Sequence, residues 1–101
     1  MNGAKLIAAE RKRQFDDEGW SPSHDAGHVF SELNRAAQCY AEAAREVTCG
    51  TAMQLVKRIP DAWPWEPCWW KPSDDPVRNL VKAGALLAAE IDRLQAKDGA
   101  K

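Results

Sequence analysis

An all-α fold, a small helical bundle of three main helices with a Trp/Pro-rich loop packed across the last two, follows from three features of this 101-residue chain. Good helix formers dominate the N-terminus, and two later stretches repeat apolar residues at three- and four-residue spacing. Between those stretches, residues 60–75 hold four of the five tryptophans among Pro60, Pro64, Pro67 and Pro72. Proline removes a backbone donor and blocks the preceding turn, so this segment is not helical. Each buried indole hides roughly 150–250 Å². Rings in such number must therefore close the core or form a recognition surface.

The first helix is expected over residues 4–18, where Ala, Leu, Glu, Arg, Lys and Gln predominate, and it stops at Glu18-Gly19. Its Ile7 face also carries Glu10 and Gln14, at i+3 and i+7, so two polar groups sit where the helix meets the rest of the protein. A turn, Trp20-Ser21-Pro22-Ser23-His24-Asp25, precedes a second helix expected over 25–47, with Val29, Leu33, Ala36, Ala37, Tyr40, Ala41 and Ala44 as its apolar stripe. Thr48-Cys49-Gly50-Thr51 breaks that pattern, and 52–59 reads as irregular or a short helix. The last helix, over 76–96, has Asp75 as N-cap and Pro76 at its first position. Its stripe is Val77, Leu80, Val81, Gly84, Leu87, Ala88, Ile91 and Leu94. Gly84 within it costs about 1 kcal/mol against Ala, which predicts close approach of a Trp ring or another backbone.

One domain spanning 1–101 is the expectation at this length, and its small core leaves room for a homodimer. The formal charge of −1 supplies no field for nucleic acid, and no apolar run approaches the roughly 20 residues that span a bilayer. Three cysteines without a C-x-x-C pair, and a charged N-terminus with no apolar leader, point to a cytoplasmic protein.

Two constellations stand out chemically. Asp25, His28 and Glu32 are spaced i, i+3, i+7, so two carboxylates and an imidazole project from one side of a helix. With Glu10 or Glu90 as a further ligand, that set suits a divalent cation such as Mg²⁺. The competing reading is two solvated acids favoured by a helix N-terminus, with His28 packing locally. Arg78 and Lys82 form a cationic pair at i, i+4, beside an outward-pointing Asn79. With Trp65, Trp69 and Trp70 stacking on a base, and His24 and His28 at the rim, they form a candidate surface for a nucleotide-type ligand. The plainer alternative pairs Arg78 and Lys82 with Asp74 or Asp75. Arg11, Lys12 and Arg13 radiate around the first helix and read as a solvated face, with one or two of them facing a phosphate as the alternative. Cys39, Cys49 and Cys68 have no activating base nearby in sequence, which gives nucleophilic catalysis weak support.

The patterns Ala9-Glu10-Arg11-x-Arg13-Gln14, Glu18-Gly19-Trp20, His24-Asp25-x-x-His28, Trp63-Pro64-Trp65, Trp69-Trp70-Lys71-Pro72 and Leu80-Val81-Lys82-Ala83-Gly84-Ala85-Leu86 resemble small proteins encoded in bacteriophages and prophages, generally of undefined function. The resemblance covers nearly the whole chain and implies a phage or prophage origin, with action in the cytoplasm of a bacterial host. The Arg/Gln-rich first helix and the Leu-Val-x-x-Ala final helix are also similar, more weakly, to MazG-like nucleoside triphosphate pyrophosphohydrolases. That likeness implies magnesium on Glu-x-x-Glu and Glu-x-x-Asp pairs. This chain has Glu32 but Arg35 at the second acid's place, and Asn79 and Lys82 on the last helix, so the cage is incomplete. The function expected is a non-enzymatic accessory binding protein, an anti-defence inhibitor or a nucleotide-ligand sponge, whose partner is a host protein or a nucleotide-type ligand. One alternative is a divergent pyrophosphohydrolase with Asp25, Glu32 and Glu90 around magnesium. Another is a structural oligomerisation domain that pairs the Val77–Leu94 stripe with its copy.

Overall fold

A computed structural model describes residues 1–18 and 31–99. Helix α1 spans Gly3–Glu18, α2 Glu32–Thr48, the single-turn α3 Met53–Val56, and α4 Pro76–Gly99, with a 3₁₀ turn over Pro67–Trp69. No strand occurs among the described residues, so the fold there is the all-α bundle its periodicity implies.

The long helix α4 is the spine. The Asp75 carboxylate accepts the Val77 N–H at 2.9 Å, satisfying an amide that has no intrahelical partner, and Pro76 opens the helix where its missing N–H costs nothing. Its Ala83, Leu86 and Ala89 face α2, which buries Leu33, Ala36, Ala37, Tyr40 and Ala43 in return. Alanines at the contact let the two backbones approach closely. Against another side of α4 lies α1. Gly84 is the contact point there, but its neighbour is neither an indole nor a backbone. A Cβ at Gly84 would stand 2.5 Å from Ile7 Cδ1, so the missing side chain makes room for Ile7.

The second helix begins later than its periodicity suggests. Ser31 adopts φ 64°, ψ 28°, a left-handed conformation that interrupts any continuous helix through it, and the first helical bond runs from the Arg35 N–H to the Ser31 carbonyl at 2.9 Å. The expected start at 25 is thus corrected to Glu32, while 25–30 lie outside the described residues. At the other end, Gly50 takes φ 87° and donates to the Val47 carbonyl at 3.1 Å, the glycine-mediated stop that Thr48–Thr51 predicts. The stretch expected to be helical or irregular over 52–59 contributes only the one turn of α3.

The Trp/Pro segment folds over α2 and α4. Trp63 and Trp70 are buried, and with Tyr40 they form an aromatic cluster with centroids 4.8–5.7 Å apart. Both indole N–H groups are satisfied by backbone: Trp63 Nε1 donates to the Glu66 carbonyl and Trp70 Nε1 to the Lys57 carbonyl, each at 3.1 Å. The Lys71 N–H donates to the Tyr40 hydroxyl at 3.1 Å, fixing the segment to α2. Asn79, expected to point outward, is instead fully buried. It accepts the Ser73 N–H at 2.7 Å and donates to the Ser73 carbonyl at 2.9 Å, tying the segment to α4.

Candidate functional site, a cationic pocket beneath helix α1

The polar face of α1 that carries Glu10 and Gln14 is buried against α4, each side chain 2% exposed. Burying a carboxylate needs compensating donors. Arg13 supplies two, Nε to Oε1 and Nη2 to Oε2, both at 2.8 Å, while Gln14 Nε2 reaches Oε2 at 3.1 Å and Arg78 Nη2 reaches Oε1 at 2.5 Å. Burial pushes the Glu10 carboxyl pKa up, but the hydrogen bonds from Arg13 and Arg78 and the charge of both guanidiniums outweigh it, and the group stays ionised below the usual carboxylate range. Gln14 Oε1 is buried without a partner. Its amide cannot turn over to relieve this, because the oxygen would then face the Glu10 carboxylate.

Beside this network lies a cavity of about 220 Å³. Its α1 and α4 sides are Glu10, Arg13, Gln14, Arg78, Lys82 and Leu86, and the Trp/Pro segment and α2 add Trp69, Lys71 and Tyr40. Lys82 Nζ donates to the Lys71 carbonyl at 2.6 Å and stands 5.4 Å from the Tyr40 ring centre, while Lys71 Nζ lies 5.3 Å from the Trp69 ring centre. Four cationic side chains and one carboxylate thus line the cavity. The cavity is electropositive although the chain as a whole carries −1. Trp69, 39% exposed, is the tryptophan of this wall, and it carries the Lys71 ammonium beside its ring.

Of the ligand-binding residues expected from sequence, Trp69, Arg78 and Lys82 come together here. Trp65 and Trp70 do not line this cavity. Trp65 packs edge-on against Trp63 at 5.4 Å, and Trp70 lies in the core and reaches a separate, open cavity of about 810 Å³ between α2 and residues 55–62. His24 and His28 lie outside the described residues. Arg78 pairs with Glu10 rather than with Asp74, which instead meets Lys57 at 2.6 Å. The residues missed were Lys71 and Tyr40, and Arg13 was singled out only as one of three cations of which one or two could face a phosphate. Arg13 has a legible signal in hindsight, since it follows Glu10 by three on one helix, the spacing of an ion pair.

The candidate metal ligands are only partly described. Asp25 and His28 lie outside the described residues, and among the described ones no three His, Cys, Asp or Glu side chains converge. Glu90, nearly buried, accepts Arg93 Nε at 2.6 Å. Donating this hydrogen bond to the Glu90 carboxylate raises the Arg93 pKa. Glu90 is thus paired with the guanidinium of its own helix. Burial pushes the Cys39 thiol pKa up, which leaves it a poor nucleophile. Set against known proteins, the chain matches no family model, no curated protein and no solved structure.

Proposed function

We propose that the chain is a non-enzymatic binding module that holds a small anionic ligand of nucleotide type in the cavity between α1, the Trp69–Lys71 segment and α4. One observation carries the reading: Arg13, Lys71, Arg78 and Lys82 line one cavity of about 220 Å³ together with the partly exposed Trp69 indole. The cations suit a phosphate, and Trp69 offers a stacking face worth about 1–3 kcal/mol per base. The volume lies below the usual range for drug-sized ligands, so the cavity takes the phosphate end of a nucleotide rather than the whole molecule. In the phage setting that the sequence pattern implies, such a module is an accessory protein that withdraws a nucleotide signal or precursor from the host, an anti-defence sponge acting in the bacterial cytoplasm. Against the pyrophosphohydrolase alternative stands the pairing of Glu90, one of its three expected ligands, with the Arg93 guanidinium at 2.6 Å.

The test is isothermal titration with AMP, ATP and inorganic phosphate at two salt concentrations. Nucleotides are expected to bind, more weakly at high salt, and Trp69→Ala and Lys82→Met are each expected to lower affinity roughly tenfold without changing the circular dichroism. Absence of binding by every nucleotide rules the reading out. Magnesium-dependent phosphate release that is lost in Glu32→Gln would install the hydrolase in its place.

A further inference from the structure

Donors and acceptors around the cationic cavity do not balance. The charged ends of Arg13, Lys71, Arg78 and Lys82 bring only donors to it, and the acceptors beside them are already engaged. Each Glu10 oxygen accepts two hydrogen bonds, Oε1 from Arg13 Nε and Arg78 Nη2, Oε2 from Arg13 Nη2 and Gln14 Nε2. The Tyr40 hydroxyl accepts the Lys71 N–H, and the Lys71 carbonyl accepts Lys82 Nζ. One acceptor is left over. Gln14 shares the cavity wall and is 2% exposed, and its Oε1 is, among the described residues, the one buried side-chain polar atom without a partner.

An amide oxygen that gives up water on folding and gains no replacement is costly, and native proteins keep few of them. Turning the amide over brings no relief, since Nε2 is the group that serves Glu10. Oε1 is closed to water as packed, so solvent does not relieve it either. The last torsion of a glutamine is soft, and a small turn brings the oxygen to a hydrogen arriving through the cavity while Nε2 stays on Glu10.

We infer that Gln14 Oε1 receives a hydrogen bond from the ligand, so that the cavity selects a phosphate carrying an O–H donor on it or directly beside it. This ligand class presupposes the anion site proposed above and narrows it. The four cations ask for acceptor oxygens, which any phosphate or sulfate supplies. The amide oxygen asks for a hydrogen, which few of them supply. Hydrogen phosphate keeps one O–H as a dianion, whereas sulfate, its equal in charge and shape, has none. A nucleotide's terminal phosphate loses its last proton above a pKa of about 6, so there the hydrogen comes from a neighbouring hydroxyl. The ribose 2′-hydroxyl beside a 3′-phosphate is such a group, and 2′-deoxyribose lacks it. A cavity of about 220 Å³ has room for a phosphate with one adjacent hydroxyl and leaves the base outside.

Isothermal titration at about pH 8, where these phosphates are dianions, compares two pairs of ligands that differ in one hydroxyl hydrogen. The pairs are inorganic phosphate with sulfate, and adenosine 3′-phosphate with its 2′-deoxy form. The O–H-bearing member of at least one pair is expected to bind roughly tenfold more tightly, the worth of one hydrogen bond to an otherwise unpaired buried group. A preference in the first pair places the donor on the phosphate, and one in the second pair places it on the sugar. Gln14→Met, which keeps the side chain's length and loses the acceptor, is expected to abolish the preference while sulfate still binds. In the natural chain, the Gln14 side-chain carbonyl carbon is expected to shift downfield in NMR spectra on saturation with the preferred ligand. Equal binding within both pairs overturns the inference and leaves the anion site standing. So does a preference that survives in Gln14→Met, or a Gln14 carbonyl resonance that the ligand does not move. Binding of none of the four overturns the inference and the anion site together.

Discussion

The two packed sides of α4 are built from opposite materials. Toward α2 and the Trp/Pro segment the contact is alanine, leucine and aromatic rings, and its polar atoms are a few indole, hydroxyl and amide groups bonded to backbone. Toward α1 the centre of the contact is an ionised carboxylate held by two arginines and a glutamine. The first arrangement gains free energy from burying area. The second roughly balances desolvation against ion pairing. Stability is thus concentrated on the α2 side, while the α1 side holds charge in fixed positions around a cavity.

Trp63→Ala breaks this comparison hardest. It removes an indole in contact with Tyr40, Trp65 and Trp70, and is expected to cost about 3–5 kcal/mol by denaturant titration. Arg78→Met, on the ionic side, is expected to cost about 1–2 kcal/mol, because Arg13 still serves Glu10 and Arg78 is itself 38% exposed. Equal losses in the two variants would show that the ionic contact carries stability as the aromatic one does.

A smaller effect sharpens the ionic side. Glu10 has its folded pKa below the ordinary 4.5, so its contribution is fully present above pH 4.5 and disappears as pH falls through the lower folded value. Thermal melts from pH 6 down to pH 2 should fall more steeply for the natural chain than for Glu10→Gln. Parallel curves would mean that Glu10 gains no net stabilisation of its charge on folding. The smallest change concerns the seat of α1. Gly84→Ala adds about 1 kcal/mol of helix propensity but drives its methyl into Ile7, giving a slight net loss. Placed in an Ile7→Ala background, the same substitution should turn stabilising in equilibrium unfolding.

Local rules were legible in the sequence. Asp75-Pro76 announced the start of α4, Gly50 the end of α2, and the crowding of tryptophan with proline a loop folded onto helices. Glu10 and Gln14 on the Ile7 face announced a polar contact, and both are buried. Ser31 was not legible, since serine rarely takes the left-handed region and no local pattern in the sequence announces it. Nor was the partner of Glu10, because Arg78 is 68 residues away and nothing in its neighbourhood names an acid on the first helix. For the candidate site, the cations of α4 and Trp69 could be read, whereas the choice among four similar indoles depended on which ring the loop turns outward. Two of them went into the core.

The aromatic cluster also has an optical consequence. The chain has a single tyrosine, and Tyr40 lies 4.8 Å from Trp70 and 5.7 Å from Trp63 between ring centres. At such separations phenol excitation passes to the indoles before it is emitted, and the indole transitions couple to one another in the near ultraviolet. The protein therefore carries a built-in gauge of its own closure, silent at tyrosine wavelengths while the loop is seated and bright when it lifts.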